Sequence, residues 1–146
     1  MIRWGWYGNI DTDSSTIVYN TAEAIKLANN KGVCRKHLAS KGIAVPETFL
    51  LNEIRSMSDI PYPLIARPSH HGRGSNLWIC NNRTELDRAI SRGASYFSKI
   101  YPKTEEYRVH CALGKCIEVM RKPAPADVSQ VAWNRALNNA PFEGVS

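Results

Sequence analysis

An arginine at the end of a short apolar run, followed by a polar loop with two glycines, could bind phosphate. Residues 63–68 read Pro-Leu-Ile-Ala-Arg-Pro and predict a strand, because proline at both ends disfavours a helix interior. Glycines let backbone N–H groups approach phosphate oxygens closely, and Arg67 would add a fixed positive charge. The loop lacks the Walker and dinucleotide-binding spacings, so a plain flexible loop is the alternative. Its candidate ligands are Gly72, Arg73, Gly74 and Ser75.

Charged residues on both sides of a proline-containing link form a second candidate group. Lys99 is close to the end of a predicted strand, 96–101, and Glu105, Glu106 and Arg108 follow the link. Glu106 and Arg108 are two residues apart in a segment with period-two alternation, so they share one face of a strand. A cation, an acid and a second cation could bracket a nucleotide. Taken singly, each residue is typical of a solvated strand position.

The elements that would hold these residues predict an α+β fold. Strands outnumber helices, and the hairpin around turn 113–115 is antiparallel, which disfavours a doubly wound parallel sheet. The predicted strands are Met1–Trp6, 48–51, 63–68, 77–80, 96–101, 106–112 and 116–122. The predicted helices begin at Thr21, at Asn30 and at Asn82 or Thr84, the last two ending at Gly42 and Gly93. Residues 8–16 are predicted to form a loop or a mobile segment, and no element is assigned to residues 52–63.

Length and charge narrow the functional classes. The 146 residues suffice for one compact domain or two small lobes, and no apolar run reaches the roughly 18–20 residues that span a bilayer. A net charge of +6 favours an anionic partner, but the basic residues are scattered, which disfavours general nucleic-acid binding. The first residues lack a signal-peptide segment, so we expect a cytoplasmic protein without membrane partners.

The four cysteines do not form a metal-binding pattern. They are Cys34, Cys80, Cys111 and Cys116, with no CxxC pair, and the histidines do not complete a zinc-ligand spacing. Cys111 and Cys116 flank the predicted turn, so a bridge between them is conceivable. Reduced thiols in a cytosolic protein are the favoured interpretation.

Three segments, in order and together covering roughly residues 28–122, resemble the ATP-grasp superfamily. They are 30–48 (Asn-Lys, Cys-Arg, Leu, Gly-Ile, Val-Pro and Thr), 63–68 with its glycine loop, and 106–115 (Glu-Tyr-Arg-Val-His-Cys-Ala-Leu-Gly-Lys). The sequence is similar to small ATP-grasp proteins of the phage and bacterial carboxylate–amine ligase type, over the N-terminal two-thirds of the unit.

The resemblance implies an ATP-grasp-like α+β fold, an antiparallel sheet with flanking helices and an incomplete C-terminal lobe. Residues 1–28 would form an N-terminal strand, loop and helix, residues 29–122 the nucleotide-binding lobe, and residues 123–146 the start of a second lobe or a tail. The implied reaction uses ATP and Mg²⁺: ATP phosphorylates a small carboxylate substrate, and an amine displaces phosphate from the acylphosphate.

The resemblance also implies roles for the candidate residues. Arg67 takes the place of the usual lysine before the phosphate-covering loop, which is formed by residues 72–76. Lys99 and the backbone of Ile100 and Tyr101 would read adenine. Glu105 or Glu106 would be a ribose or outer-shell acid, and Arg108 would be catalytic, stabilising charge during phosphoryl transfer.

The sequence departs from the family after residue 122. Family members continue with a strand carrying a metal-binding acid and then a Glu-x-Asn motif, whereas Ala136-Leu-Asn138 has Ala in place of Glu. No metal ligand is therefore assigned, and the expectation is a truncated or split unit, with the metal-binding half absent or supplied by a second chain.

Three function hypotheses follow. The first is an ATP-dependent carboxylate–amine ligase, located in the host cytoplasm if phage-encoded. The second is a non-catalytic nucleotide-binding or structural module derived from an ATP-grasp fold. The third is a basic nucleic-acid-binding domain in which Trp4, Trp6 and Tyr7 stack on bases, although packing is the favoured use of those rings.

Overall fold

A computed structural model of the chain describes residues 2, 6–71, 76–101, 105–122 and 143–144. The described residues up to Lys99 form one compact unit, and those from Ile100 onward form a second. The elements are α1 (Ala22–Asn29), α2 (Lys31–Ser40), β1 (Thr48–Leu50), α3 (Leu51–Ser56), β2 (Leu64–Arg67), β3 (Trp78–Cys80), α4 (Arg83–Ser91), β4 (Tyr96–Lys99), β5 (Glu106–Ala112), β6 (Lys115–Lys122) and β7 (Glu143–Gly144).

The first unit contains a four-stranded sheet in the order β1-β4-β2-β3. Each neighbouring pair is antiparallel, and in the β2–β4 pair Leu64 lies opposite Lys99 and Arg67 opposite Tyr96. Strand β4, the last of this unit in sequence, thus lies between β1 and β2. This register decides which side chains share the end of β2.

The apolar core covers one face of this sheet. Leu64, Ala66 and Phe97 are fully buried there, and α3 and α4 pack on them through Ile54 and Leu86. Burying a large apolar side chain of this kind stabilises a fold by about 1.5–3 kcal/mol. Helices α3 and α4 therefore cover this face.

The opposite face carries α2. A Cβ atom added at Gly32 would lie 2.7 Å from Cβ of Tyr96 and 3.0 Å from Cδ2 of Leu50. Only a glycine lets the helix backbone approach β1 and β4 this closely. The sheet of this unit has helices on both faces, and both sheets consist of antiparallel strand pairs, which confirms the predicted α+β class.

The predicted helix boundaries follow from side-chain caps. Thr21, Asn30 and Asn82 each accept a hydrogen bond from a backbone N–H three residues later, at 3.2, 3.3 and 3.0 Å. Gly42 and Gly93 follow α2 and α4 with φ of 76° and 96°, a conformation that glycine adopts without strain. The caps at Asn30 and Asn82 and the ends at Gly42 and Gly93 were predicted from sequence and are confirmed, whereas no cap was predicted at Thr21.

The second unit contains a three-stranded sheet in the order β5-β6-β7. Leu113 (φ 52°) and Gly114 (φ 74°) form the tight turn between β5 and β6, and a β-bulge interrupts the register between His110 and Cys111. All four cysteines of the chain are free thiols, including Cys111 and Cys116, which lie opposite each other in this register.

Several element predictions were wrong in detail. Residues 52–63, to which no element was assigned from sequence, contain most of α3, and β1 ends at Leu50 because Glu53 accepts the Leu50 N–H bond and starts the helix there. Strand β4 ends at Lys99 rather than at residue 101, and β7 was not predicted. Of Met1–Trp6, the structure describes Ile2, which forms an isolated parallel bridge with Tyr19, and Trp6. None of the described helices is long and apolar enough to cross a membrane.

Candidate functional site

The end of β2 presents a guanidinium group with an unused donor. The backbone carbonyl of Arg67 accepts a 2.9 Å hydrogen bond from Ser95 N–H, which fixes the chain at this point. The side-chain Nε of Arg67 is buried and has no hydrogen-bond partner among the residues that the structure describes. Leaving a buried donor without an acceptor costs about 1–3 kcal/mol. Such a donor can be satisfied by an acceptor atom that a ligand brings.

His71, four residues after this arginine, likewise has a buried side-chain nitrogen that is not used in a hydrogen bond. Its Nε2 is 2.8 Å from the Tyr96 hydroxyl, and the two rings stack with centroids 6.0 Å apart and planes inclined by 18°. Its Nδ1 is buried and has no hydrogen-bond partner in the described part of the chain. Burial, together with the positive charges of Arg67, Lys31 and Arg35, lowers the pKa of His71 to about 4, so the ring is neutral at pH 7.

Helix α2 contributes two further cations. The Lys31 N–H donates to the Ser69 carbonyl at 3.2 Å, which joins the start of α2 to the segment after β2. The Arg35 guanidinium carbon lies 5.6 Å from the centre of the Tyr96 ring, in cation–π geometry. Because Lys31 and Arg35 are four residues apart, they project from one side of the helix.

A pair of serines holds the segment after β2 against β4. The Ser69 N–H donates to Ser95 Oγ at 2.7 Å, and the two hydroxyls are 2.8 Å apart. The segment is thereby tied to β4 and, through the Lys31 bond, to α2. These bonds position His71, two residues later, over Tyr96.

We call Lys31, Arg35, Arg67 and His71 the cationic cluster. It combines three positive charges with two buried nitrogen atoms that lack partners, and the charged groups that act on His71 are all cations. Guanidinium and ammonium groups bind phosphate and carboxylate oxygens through charge-assisted hydrogen bonds. The cluster therefore suits an oxyanion ligand with more than one negative charge.

Lys99 does not join this cluster. It lies opposite Leu64, whereas Arg67 lies opposite Tyr96, so the two cations are at opposite ends of the β2–β4 pair, about 10 Å apart along the strands. Lys99 Nζ forms a 2.6 Å ion pair with Glu47. Its predicted role in reading adenine stays a prediction.

The remaining candidates in the second unit fall into two groups. Ile100 is half-buried and Tyr101 is exposed just after β4. Glu105 Oε2 accepts a 2.7 Å hydrogen bond from the Tyr107 hydroxyl, and its Oε1 lies 3.6 Å from Nη1 of Arg121. The bond to Glu105 raises the pKa of Tyr107. Glu105 is thus already engaged by a neighbouring cation and a hydroxyl.

Glu106 and Arg108 occupy alternate positions of β5, as predicted. They lie opposite Lys122 and Met120, so both project from one face of the hairpin, with Glu106 half-buried and Arg108 exposed. The other predicted ligands, Gly72, Arg73, Gly74 and Ser75, lie outside the described residues. Among the residues that the structure describes, no group of three or more His, Cys, Asp or Glu side chains could hold a metal ion.

Sequence reasoning assigned no role to Lys31, Arg35, His71 or Tyr96. The four-residue spacing of the two cations on a capped helix was a visible signal, but it indicates only a basic helix face. His71 and Tyr96 are 25 residues apart, and their contact depends on the pairing of β2 with β4. Local patterns do not encode such a pairing.

Comparison with curated proteins finds a related ligase. No protein-family model matches the chain. The D-alanine--D-alanine ligase of Fusobacterium nucleatum subsp. nucleatum is 29% identical over 109 residues, which cover 73% of this chain and 35% of the ligase. The chain thus spans about a third of the length of this curated relative.

Solved structures of three ligases or synthetases share the fold. D-alanine--D-alanine ligase from Bacillus anthracis complexed with ATP has a TM-score of 0.58 at 17% identity, covering 87% of this chain and 42% of that protein. N5-carboxyaminoimidazole synthetase from Staphylococcus aureus complexed with ADP has a TM-score of 0.59 at 15% identity, covering 76% of this chain and 33% of that protein. L-amino acid ligase from Bacillus licheniformis has a TM-score of 0.55 at 15% identity, covering 73% of this chain and 27% of that protein.

Proposed function

We propose that this chain is an ATP-grasp protein and that it binds ATP with the polyphosphate at the cationic cluster. We further propose that it takes part in an ATP-dependent carboxylate–amine ligation through an acylphosphate. The observation that carries the proposal is the pair of buried, unpartnered nitrogen atoms, Arg67 Nε and His71 Nδ1, beside Lys31 and Arg35.

The residues of the cluster suit the phosphates of ATP. A polyphosphate supplies several anionic acceptors, which would satisfy the buried donor of Arg67 and offset the mutual repulsion of the three cations. Two related structures were solved with ATP and with ADP, which supports a nucleotide as the ligand. When bound, ATP would supply the phosphoryl group that activates a carboxylate. The chain's own contribution is to bind and orient the phosphates.

The remaining predicted site residues stay in the proposal with the roles that the resemblance implies. Lys99, Ile100 and Tyr101 would contact adenine, and Glu105 or Glu106 would act near the ribose. Arg108 would stabilise charge during phosphoryl transfer.

Among the described residues, no group of three or more His, Cys, Asp or Glu side chains could hold a metal ion, and the Glu105 carboxylate is engaged by Tyr107 and Arg121. No described residue is therefore assigned to Mg²⁺. The second candidate function is a nucleotide-binding module without turnover.

Calorimetric titration of the whole chain tests nucleotide binding. We expect affinity to rise from adenosine to AMP, ADP and ATP, because each phosphate adds charge-assisted bonds to the cluster. Arg67→Ala should weaken ATP binding by about tenfold or more, which corresponds to one lost hydrogen bond to a charged group. Arg83→Ala is the matched control, since Arg83 is exposed and pairs with Asp87 at 3.0 Å. Equal affinity for adenosine and ATP would overturn the assignment of the cluster.

A phosphate-release assay distinguishes the proposed ligase from the non-catalytic nucleotide-binding module. Wild-type chain is incubated with ATP, Mg²⁺ and a panel of amino acids, and inorganic phosphate is measured over time. Release that depends on both a carboxylate and an amine supports the ligase. ATP binding without such release supports the non-catalytic module instead.

A further inference from the structure

The environment of His71 differs from that of an ordinary structural histidine. One ring nitrogen is used, in the 2.8 Å bond to the Tyr96 hydroxyl, and the other is buried without a partner. A buried polar atom without a partner is unfavourable, so a purely structural role would leave this nitrogen unexplained. The unpartnered nitrogen belongs to a ring whose pKa is lowered by burial and by the positive charges of Arg67, Lys31 and Arg35.

The Tyr96 hydroxyl permits either neutral form of the ring, because it can donate to Nε2 or accept from it. If Nε2 carries the proton, Nδ1 offers a lone pair, and an anion cannot bind there. If the hydroxyl donates to Nε2, the proton is on Nδ1, and this N–H is a donor alongside the unused Arg67 Nε–H. An oxyanion therefore selects the second form.

We propose that neutral His71 is a direct ligand of the bound polyphosphate, donating from Nδ1–H to a phosphate oxygen while Tyr96 donates to Nε2 and so holds the proton on Nδ1. The inference rests on the proposed nucleotide function and names a further binding residue for that site. Binding adds no proton and breaks no covalent bond: the ring moves from a mixture of its neutral forms to one of them.

A neutral donor is the chemically reasonable choice at this place. A protonated imidazole would add a fourth positive charge next to three cations, and the ring is half-buried against Tyr96. Neutral His71 provides hydrogen bonding without that repulsion. The Arg35 guanidinium, on the Tyr96 ring, supports the tyrosine from the α2 side.

The experiment uses the full chain, inorganic tripolyphosphate as the probe, and variants at His71 and Tyr96. His71→Leu removes the donor and should weaken tripolyphosphate binding by about tenfold or more. His71→Asn should retain most of the affinity, because its amide nitrogen is as many bonds from Cβ as Nδ1 is. Tyr96→Phe keeps the stacked ring and should weaken binding by a smaller factor. His37→Leu, at an exposed histidine of α2, should bind as the wild type does.

A spectroscopic readout separates ligand binding from a structural role. Long-range ¹H–¹⁵N correlation spectra of the tripolyphosphate complex should show a protonated Nδ1 and an unprotonated Nε2 for His71. The affinity ratio of wild type to His71→Leu should also stay constant between pH 6.5 and 8.5, because a ring that is already neutral does not titrate there.

The outcomes distinguish this inference from the proposed function. Wild-type affinity in folded His71→Leu, or an unprotonated Nδ1 in the complex, overturns the role of His71 while ATP binding stands. If neither tripolyphosphate nor ATP binds the wild-type chain, both proposals are overturned. If His71→Leu weakens tripolyphosphate binding and His71→Asn weakens it equally, the effect comes from packing, and the inference is also overturned.

Discussion

Gly32 and Tyr96 are in such close contact that a single added carbon atom would separate them. A Cβ at Gly32 would lie 2.7 Å from Cβ of Tyr96, far inside van der Waals contact. This contact sets the distance between α2 and β4. It therefore also sets where Lys31 and Arg35 lie relative to Arg67 and His71.

Gly32→Ala is expected to destabilise the chain by about 1–3 kcal/mol, because overpacking forces the helix away from the sheet. The better helix propensity of alanine offsets up to about 1 kcal/mol of this. Urea unfolding followed by circular dichroism measures the change. The matched control is Gly144→Ala, where an added Cβ meets no atom within 4 Å. Equal stability of the two variants would contradict the contact.

The low pKa of His71 predicts a specific pH dependence of stability. The pKa is about 4 in the folded chain against an ordinary value of 6.5, so between these values the unfolded chain binds the proton and the folded chain does not. The contribution of His71 to stability is complete above pH 6.5 and is lost as the pH falls from 6.5 to about 4.

The check is chemical unfolding of wild type and His71→Asn at pH 7.5, 6.0 and 5.0. The free energy of unfolding of the wild type should decrease relative to that of the variant at each step down in pH, since the variant has no proton to gain at this position. Parallel pH profiles would show that His71 titrates normally in the folded chain.

Glu53 is expected to stabilise the start of α3. Its carboxylate accepts from the Leu50 N–H at 2.6 Å and from Lys36 Nζ at 2.6 Å, and these bonds lower its pKa, the backbone bond most strongly. Glu53→Ala should cost about 0.5–2 kcal/mol, the range for losing a helix cap. Asp87→Ala removes an exposed pair with Arg83 and should cost less than about 1 kcal/mol.

The contribution of Glu53 to stability also decreases as the pH falls, but in a lower pH range than that of His71. Because the folded pKa of Glu53 is below the ordinary 4.5, its stabilisation is present above pH 4.5 and is lost as the pH falls below that value. Unfolding measured between pH 3 and 6 checks this. A Glu53→Ala effect that persists undiminished at pH 3 would argue against the charged carboxylate as its source.

The thiols should react in an order set by burial. Cys80 is fully buried and burial raises its pKa to about 11, so almost no thiolate forms at pH 8. Cys111 and Cys116 are exposed on the hairpin. Labelling with iodoacetamide, mapped by mass spectrometry, should modify these two first and Cys80 only after unfolding. Labelling of Cys80 in the folded chain at the rate of Cys111 would contradict its burial.

Local sequence rules predicted much of the secondary structure. Asn30 and Asn82 were identified as helix caps, because their side-chain oxygens can accept from the backbone N–H three residues later. Gly114 was placed in the tight turn of the hairpin, where it has a positive φ. The predicted antiparallel α+β class and the resemblance to the ATP-grasp superfamily are also confirmed. Helix α3 was missed because it has only six residues and its first turn depends on the Glu53 side chain.

The amino-acid sequence alone determined the caps at Asn30 and Asn82, the turn at Gly114, most of the strands and the resemblance to ATP-grasp proteins, because these depend on residues within a few positions of one another and on motifs in a fixed order. It also singled out Arg67. Only the tertiary structure decided that Arg67 meets His71, Tyr96, Lys31 and Arg35, and that Lys99 lies at the other end of the sheet. Strand register and the packing of α2 over Gly32 bring these residues together, and both arise from contacts between segments that are distant in sequence.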